Sequence, residues 1–174
     1  MSDIALLQSL IRNIPDFPQP GVQFKDITPI LASGPGFKAS IDLFVAECKD
    51  VGAQKIVGID ARGFLFGAAA AYALGVGFIP VRKKGKLPFQ TRSHSYTLEY
   101  GSNTVEMHED ALEAGERVVL IDDLLATGGT AAAAVHLVRE LGGEVTKALF
   151  LIELDFLEGR KLLTDVPVKS FLRY

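Results

Sequence analysis

Val118-Val119-Leu120-Ile121-Asp122-Asp123-Leu124-Leu125-Ala126-Thr127-Gly128-Gly129-Thr130 is the stretch whose reading decides the fold. The branched apolar residues of Arg117–Ile121 read as a buried strand. Two acids follow, then a small glycine-rich turn that opens a helix. That helix shows its apolar stripe at Ala134, Leu137, Val138 and Leu141 and closes at Gly142-Gly143. Ala126, Gly128 and Gly129 leave room for backbone amides to approach an anion. The Thr127 and Thr130 hydroxyls donate to it, and the helix N-terminus adds partial positive charge. Asp122 and Asp123 would repel that anion. They suit hydroxyl donors instead, such as the 2′ and 3′ groups of a ribose, and two adjacent acids at the end of a buried strand are costly without partners. The run therefore reads as a receptor for a ribose 5-phosphate. It has neither the Gly-Lys-Ser/Thr ending of a Walker A loop nor the Gly-x-Gly-x-x-Gly dinucleotide turn.

Outward from this run, strands and helices alternate. Lys55–Ile59 is a short β-branched run. Gly63–Val81 is 19 residues without a charge, long enough to raise the question of a membrane span. Gly75, Gly77 and Pro80 interrupt its second half, so a helix over Phe64–Leu74 and a strand over Phe78–Val81 suit it better. Val145–Leu154 is another buried strand, and a short helix and strand end the chain. The alternation predicts an α/β fold, a Rossmann-like twisted parallel sheet with helices on both faces. Ligands bind beyond the carboxyl ends of such strands. That rule marks the loops after Ile59 (Asp60-Ala61-Arg62-Gly63), after Val81 (Arg82, Lys83, Lys84 and Lys86) and after Ile121.

The flanks differ in character. Ile4, Leu7, Ile11 and Ile14 have helical spacing, and Pro15, Pro18 and Pro20-Gly21 then impose an extended loop. Phe37, Ile41, Phe44 and Cys48 form a second helical stripe ending at Gly52. Between Lys83 and Glu109 the chain alternates Tyr96, Leu98 and Tyr100 with Thr97 and Glu99, and continues at Val105 and Met107. This predicts a β-hairpin with one exposed face and its turn at Gly101-Ser102-Asn103.

Composition narrows the function. The 174 residues suit one domain, with 18 Lys+Arg against 21 Asp+Glu and a net charge of −3. A general nucleic-acid binder needs a basic face, so no nucleic-acid partner is expected. Cys48 is the one cysteine, which excludes an internal disulfide and any cysteine-based zinc cluster. A cytoplasmic protein with no signal peptide and no membrane partner is expected. His94, His108 and His136 lack paired ligand spacing and read as structural or surface residues.

The Val118–Thr130 run resembles the phosphoribosyl pyrophosphate signature of the type I phosphoribosyltransferases. Other stretches resemble the adenine-using branch of that family, in the family's order and over nearly the whole chain. They are Phe17-Pro18-Gln19-Pro20-Gly21-Val22, Phe24-Lys25-Asp26-Ile27-Thr28-Pro29, Ile59-Asp60-Ala61-Arg62-Gly63-Phe64, Arg82-Lys83-Lys84-Gly85-Lys86-Leu87-Pro88 and Leu98-Glu99-Tyr100-Gly101. The resemblance implies a purine salvage enzyme making AMP and pyrophosphate from adenine and phosphoribosyl pyrophosphate. It implies a single domain over 1–174, with a hood that binds the base over about 1–34 and a flexible hairpin lid over about 83–109. Asp122, Asp123, Ala126, Thr127, Gly128, Gly129 and Thr130 would hold the ribose and its 5-phosphate. Arg82, Lys83 and Lys86 would contact the pyrophosphate. Asp60, Ala61 and Arg62 would cradle it through the backbone, with a strained peptide between Asp60 and Ala61. Val22, Gln23, Phe24 and Lys25 would hold adenine, with lysine where some members carry arginine. Glu99 would be the catalytic residue over the purine, as general base for its proton or as the hydrogen-bond partner of N7, and Tyr100 would belong to the lid. Mg2+ would bind mainly through substrate, with no dedicated protein ligands, and part of the basic loop serving a neighbouring site implies a homodimer. Two alternatives stay open. One is a 6-oxopurine enzyme, although such enzymes usually carry an acid where this chain has Ala126. The other is a non-catalytic nucleotide sensor of the same fold.

Overall fold

A computed structural model describes residues 2–98 and 101–174. By its contacts the chain divides into two compact units, Met1–Leu43 and Phe44–Tyr174.

The first unit begins with α1 (Asp3–Leu10), capped by the Ser2 side chain, which accepts from the Ala5 amide. Strands β1 (Arg12–Pro15) and β2 (Gln23–Asp26) pair antiparallel, Ile14 opposite Phe24. The helix expected through Ile14 thus stops at Leu10. Ile11 is already extended, and Pro15 favours extended backbone before it. The proline-rich segment is a loop, as expected, and it joins two paired strands. Helix α2 (Thr28–Ala32) follows, with Pro29 in its first turn, and α3 (Gly34–Asp50) runs on into the second unit.

The second unit is a seven-stranded sheet. Its strands are β3 (Lys55–Ile59), β4 (Gly77–Lys83), β5 (Thr91–Leu98), β6 (Gly101–His108), β7 (Arg117–Leu125), β8 (Glu144–Glu153) and β9 (Val168–Arg173). They lie in the order β5-β6-β4-β3-β7-β8-β9. The pairs among β4, β3, β7, β8 and β9 are parallel, and β6 joins β4 and β5 antiparallel. The uncharged run becomes α4 (Arg62–Leu74) and β4. No helix among the described residues is long and apolar enough to cross a membrane.

Strand alternation sorts the core into two faces. On one, Val57, Ile59, Val81, Val118, Leu120 and Phe150 pack under α5 (Gly129–Glu140), against Leu137 and Val138. On the other, Ile56, Val119 and Ile121 are buried. There Phe66 of α4 and Phe171 of β9 both pack on the Phe44 ring, at 5.6 and 5.1 Å. Burial also pushes the Cys48 thiol up to about 12, which leaves it an inert apolar group.

The hairpin differs from its expectation in register. Pairing runs from Thr91 opposite His108 to Leu98 opposite Gly101, so Gly101, Ser102 and Asn103 belong to β6 rather than to the turn. The hairpin also extends the main sheet, because Arg82 and Lys83 pair with Glu106 and Val105. Glu99 and Tyr100 lie outside the described residues.

Candidate active site

Three of the marked loops stand where parallel strands β3, β4 and β7 end. Strand β7 is longer than its sequence suggests. β8 continues the ladder beside it, Asp122 opposite Phe150 and Leu124 opposite Ile152. Asp122 and Asp123 are therefore strand residues, and the phosphate loop begins at Ala126.

That loop is built by close backbone packing. Gly128 has φ +84°, and α5 starts immediately after it with no side chain capping its first amides, so they remain available to an anion. A cavity of about 80 Å3 sits here, bordered by Asp122 and by Leu124 through Ala131. The loop itself has a back wall made by another segment. A Cβ on Gly128 would lie 2.3 Å from the Gly159 carbonyl oxygen, and one on Gly159 would lie 2.3 Å from the Ala126 carbonyl oxygen. Both positions therefore require glycine. Gly159 is held in turn by its neighbour. The Arg160 guanidinium donates to both Glu153 carboxylate oxygens at 2.7 Å, to the Val168 carbonyl at 2.9 Å and to Ser170 Oγ at 3.4 Å. Burial alone would raise the Glu153 carboxyl, but Arg160, Ser170 and Arg173 outweigh it and hold it below the usual range.

The acids are partnered. Asp123, 5% exposed, receives Arg62 Nε at 2.9 Å. Asp122 Oδ1 accepts the Asp123 amide at 2.9 Å. Burial and the neighbouring carboxylate push Asp122 well above the usual carboxylate range. Burial raises Asp123 too, against the pull of Arg62. The start of α4 lies so close that a Cβ on Gly63 would stand 2.6 Å from Asp122 Oδ1 and 3.1 Å from the Ile121 carbonyl oxygen.

The basic loop is partly neutralised. Arg82 Nε donates to Asp60 Oδ2 at 2.9 Å, and Arg82 Nη1 donates to the Lys86 carbonyl at 3.2 Å. Arg82–Asp60 and Arg62–Asp123 together tie all three strand ends. Lys83, Lys84 and Lys86 are exposed. The turn that displays them is held by Glu106, 6% exposed, which accepts the Gly85 amide at 2.9 Å. The Asp60–Ala61 peptide is cis.

The hairpin reaches the phosphate loop through a residue the sequence did not mark. The Tyr96 hydroxyl is 2.7 Å from Thr130 Oγ1, and a Cβ on Gly129 would meet the Tyr96 ring at 2.8 Å. Nearly two turns further along α5, the His94 and His136 rings meet at a tilt with centroids 3.9 Å apart. Glu106, Gly159 and Arg160 were likewise not legible as site residues. Only Glu153, an acid ending the apolar run Ala148–Ile152, hinted that a buried cation partner must exist.

The sequence placed the adenine site in the other unit, and there Gln23, Phe24 and Lys25 lie on β2 with Val22 just before it. Lys25 Nζ donates to Asn13 Oδ1 at 2.6 Å, and the Phe24 ring meets Phe17 edge-on at 5.1 Å.

Fold and site together define an α/β protein whose strand ends carry a cation-free glycine loop beside two acids and, separately, a cationic turn. The phosphoribosyl transferase domain family matches residues 31–171. Adenine phosphoribosyltransferase of Roseiflexus sp. is 56% identical over 97% of this chain and 98% of its own length. The crystal structure of that enzyme from Thermoanaerobacter pseudethanolicus superposes with a TM-score of 0.95 at 49% identity, covering 98% of this chain and 99% of that one. The enzyme from Saccharomyces cerevisiae, complexed with an iminoaltritol bisphosphate and adenine, superposes with a TM-score of 0.95 at 42% identity, covering 98% of this chain and 99% of its own. The enzyme from Trypanosoma brucei, in complex with AMP, pyrophosphate and ribose-5-phosphate, does so with a TM-score of 0.90 at 26% identity, covering 99% of this chain and 80% of its own. The chain belongs to the phosphoribosyltransferase family, and within it to the adenine phosphoribosyltransferases.

Proposed function

We propose that this chain transfers the phosphoribosyl group of phosphoribosyl pyrophosphate to adenine, giving AMP and pyrophosphate in purine salvage. One observation carries the reading. At the end of β7, an acid borders a cavity whose other wall is a glycine loop and an uncapped helix start, which is the donor and acceptor pattern of a ribose 5-phosphate. The ligands of the yeast and trypanosome relatives are of the same class.

The bond from the sugar C1 to the pyrophosphate oxygen breaks, the bond from C1 to the adenine N9 forms, and the N9 proton departs. Positive charge develops on the sugar as the leaving group goes, as in glycoside chemistry. The amides and hydroxyls of Ala126, Thr127, Gly128, Gly129 and Thr130 hold the 5-phosphate. Asp122 and Asp123 accept the ribose hydroxyls. Lys83 and Lys86 neutralise the departing pyrophosphate. Arg82 and Arg62 carry charge to the same loops, and the Asp60–Arg62 backbone faces the pyrophosphate. Val22, Gln23, Phe24 and Lys25 receive the adenine, with Phe24 against its face. Glu99 takes the purine proton or holds N7, and Tyr100 belongs to the lid.

Mg2+ fits as an ion carried in on the pyrophosphate. Asp123 is engaged by Arg62, and Mg2+ commonly keeps waters that Asp122 could accept from. When bound, it would supply extra neutralisation of the leaving group. A homodimer is proposed from the family resemblance of the basic loop, part of which serves a neighbouring site; Leu65, 45% exposed, and Tyr72, 90% exposed, lie seven residues apart on one stripe of α4. A cytoplasmic setting is supported by the single buried thiol.

Purine competition tests the reading. Adenine is expected to be consumed far faster than hypoxanthine or guanine with phosphoribosyl pyrophosphate. Equal rates with either would refute the assignment of the base.

A further inference from the structure

Thr130 stands at the start of α5 with its hydroxyl 2.7 Å from the Tyr96 hydroxyl. The Tyr96 ring lies flush on Gly129, where a Cβ would approach it to 2.8 Å, so the ring can sit there only because residue 129 has no side chain. Tyr96 comes from β5, a strand remote from the phosphate loop in sequence. The neighbouring contact of His94 on His136 holds the same strand against the same helix.

A threonine hydroxyl has one proton and two acceptor positions. If Thr130 donates its proton to a phosphate oxygen, it must accept from Tyr96. If it donates to Tyr96 instead, it presents lone pairs to the phosphate and repels it. Tyrosine is the more acidic hydroxyl and the better donor, so the pair has a preferred sense: Tyr96 O–H to Thr130 Oγ1, and Thr130 O–H into the cavity. We propose that Tyr96 is a positioning residue of the phosphate loop, which fixes the Thr130 hydroxyl as a donor to the 5-phosphate. The inference rests on the reading of residues 126–130 as the phosphate receptor. It gives the hairpin a role at the phosphate as well as at the purine, through a residue that itself touches no substrate.

The test compares dissociation constants of AMP and adenosine, which differ only in the 5-phosphate. Tyr96→Phe keeps the ring on Gly129 and removes the hydroxyl. It is expected to weaken AMP about fivefold, the loss carried by one neutral hydrogen bond, with adenosine unchanged. The KM for phosphoribosyl pyrophosphate should rise in parallel, while kcat at saturation changes less than about twofold. Thr130→Val should weaken AMP alone, and Tyr96→Phe added to Thr130→Val should have no further effect. If Tyr96→Phe weakens AMP and adenosine equally, or neither, the positioning role is wrong. If Tyr96→Phe is still felt in the Thr130→Val background, it does not act through Thr130. If Thr130→Val leaves AMP untouched, the phosphate-loop reading fails and the inference with it.

Discussion

The two loops proposed to hold the anionic groups of the substrate are built on opposite plans. The loop at Ala126–Thr130 contains no cation. It consists of small residues and backbone amides, and its shape is set from behind by Gly159, which Arg160 pins to Glu153 and β9. The turn at Arg82–Lys86 is almost all cation, yet Arg82 is engaged with Asp60 and the exposed lysines stand on a turn held by Glu106. One region recognises by fixed geometry, the other by displayed charge. The difference fits what each must do. The 5-phosphate stays attached to the sugar throughout the reaction and can be gripped by a rigid cradle. Pyrophosphate must be neutralised as it leaves and then released, which suits mobile, screened charges.

The comparison can be broken at its rigid side first. Gly159→Ala drives a methyl group toward the Ala126 carbonyl. We expect kcat/KM for phosphoribosyl pyrophosphate to fall about a hundredfold, roughly 3 kcal/mol, with adenine affinity unchanged by calorimetry. A loss below threefold would mean the back wall does not shape the loop.

Asp122→Asn comes next. It removes one ionic acceptor, and kcat/KM should fall about thirtyfold, roughly 2 kcal/mol. Stability should move the other way. The folded pKa of Asp122 is raised, so its ionisation costs stability as pH rises above the ordinary carboxylate value, and that cost is absent below it. Asp122→Asn should therefore raise Tm at pH 8 and leave it unchanged near pH 4, as thermal unfolding across pH would record.

Arg160→Gln tests the clamp itself. Glu153 is 4% exposed but Arg160 is 38% exposed, so the cost should lie near 1.5 kcal/mol, less than the roughly 3–5 kcal/mol for breaking a fully buried pair. Urea unfolding measures it. Because the Glu153 pKa is depressed, the contribution should disappear as pH falls through that folded value.

The smallest effect belongs to the charged side. Lys86→Ala should weaken pyrophosphate about threefold, roughly 0.7 kcal/mol, at low salt and less at high salt, since exposed charges are screened. Ribose 5-phosphate binding should show the weaker salt dependence of the two.

These two plans were unequally legible in the sequence. Glycine and threonine after a buried strand announce an anion cradle locally, and Lys55–Ile59 matches β3 residue for residue. What the cradle rests on is non-local. Nothing in Gly159 distinguishes it until β8 and the segment after it fold back beside Ala126. Asp122 and Asp123 were expected in a loop because the apolar run ends at Ile121, whereas the ladder to β8 carries β7 on to Leu125. Ile11 and Ile14 kept helical spacing by chance, Ile11 as the extended cap of α1 and Ile14 within a strand next to proline. Tyr96 keeps to the hairpin's alternation, whereas Glu106 breaks it by being buried between Val105 and Met107; their partners lie in α5 and in the basic turn, and no spacing within β5 or β6 reveals either.

The central claim is the reaction, and phosphorus NMR of a mixture of adenine, phosphoribosyl pyrophosphate and Mg2+ tests it most directly. AMP and pyrophosphate should appear in equal amounts only when enzyme and adenine are both present, with the rate reduced on chelating the Mg2+. Absence of AMP with and without Mg2+ would contradict it.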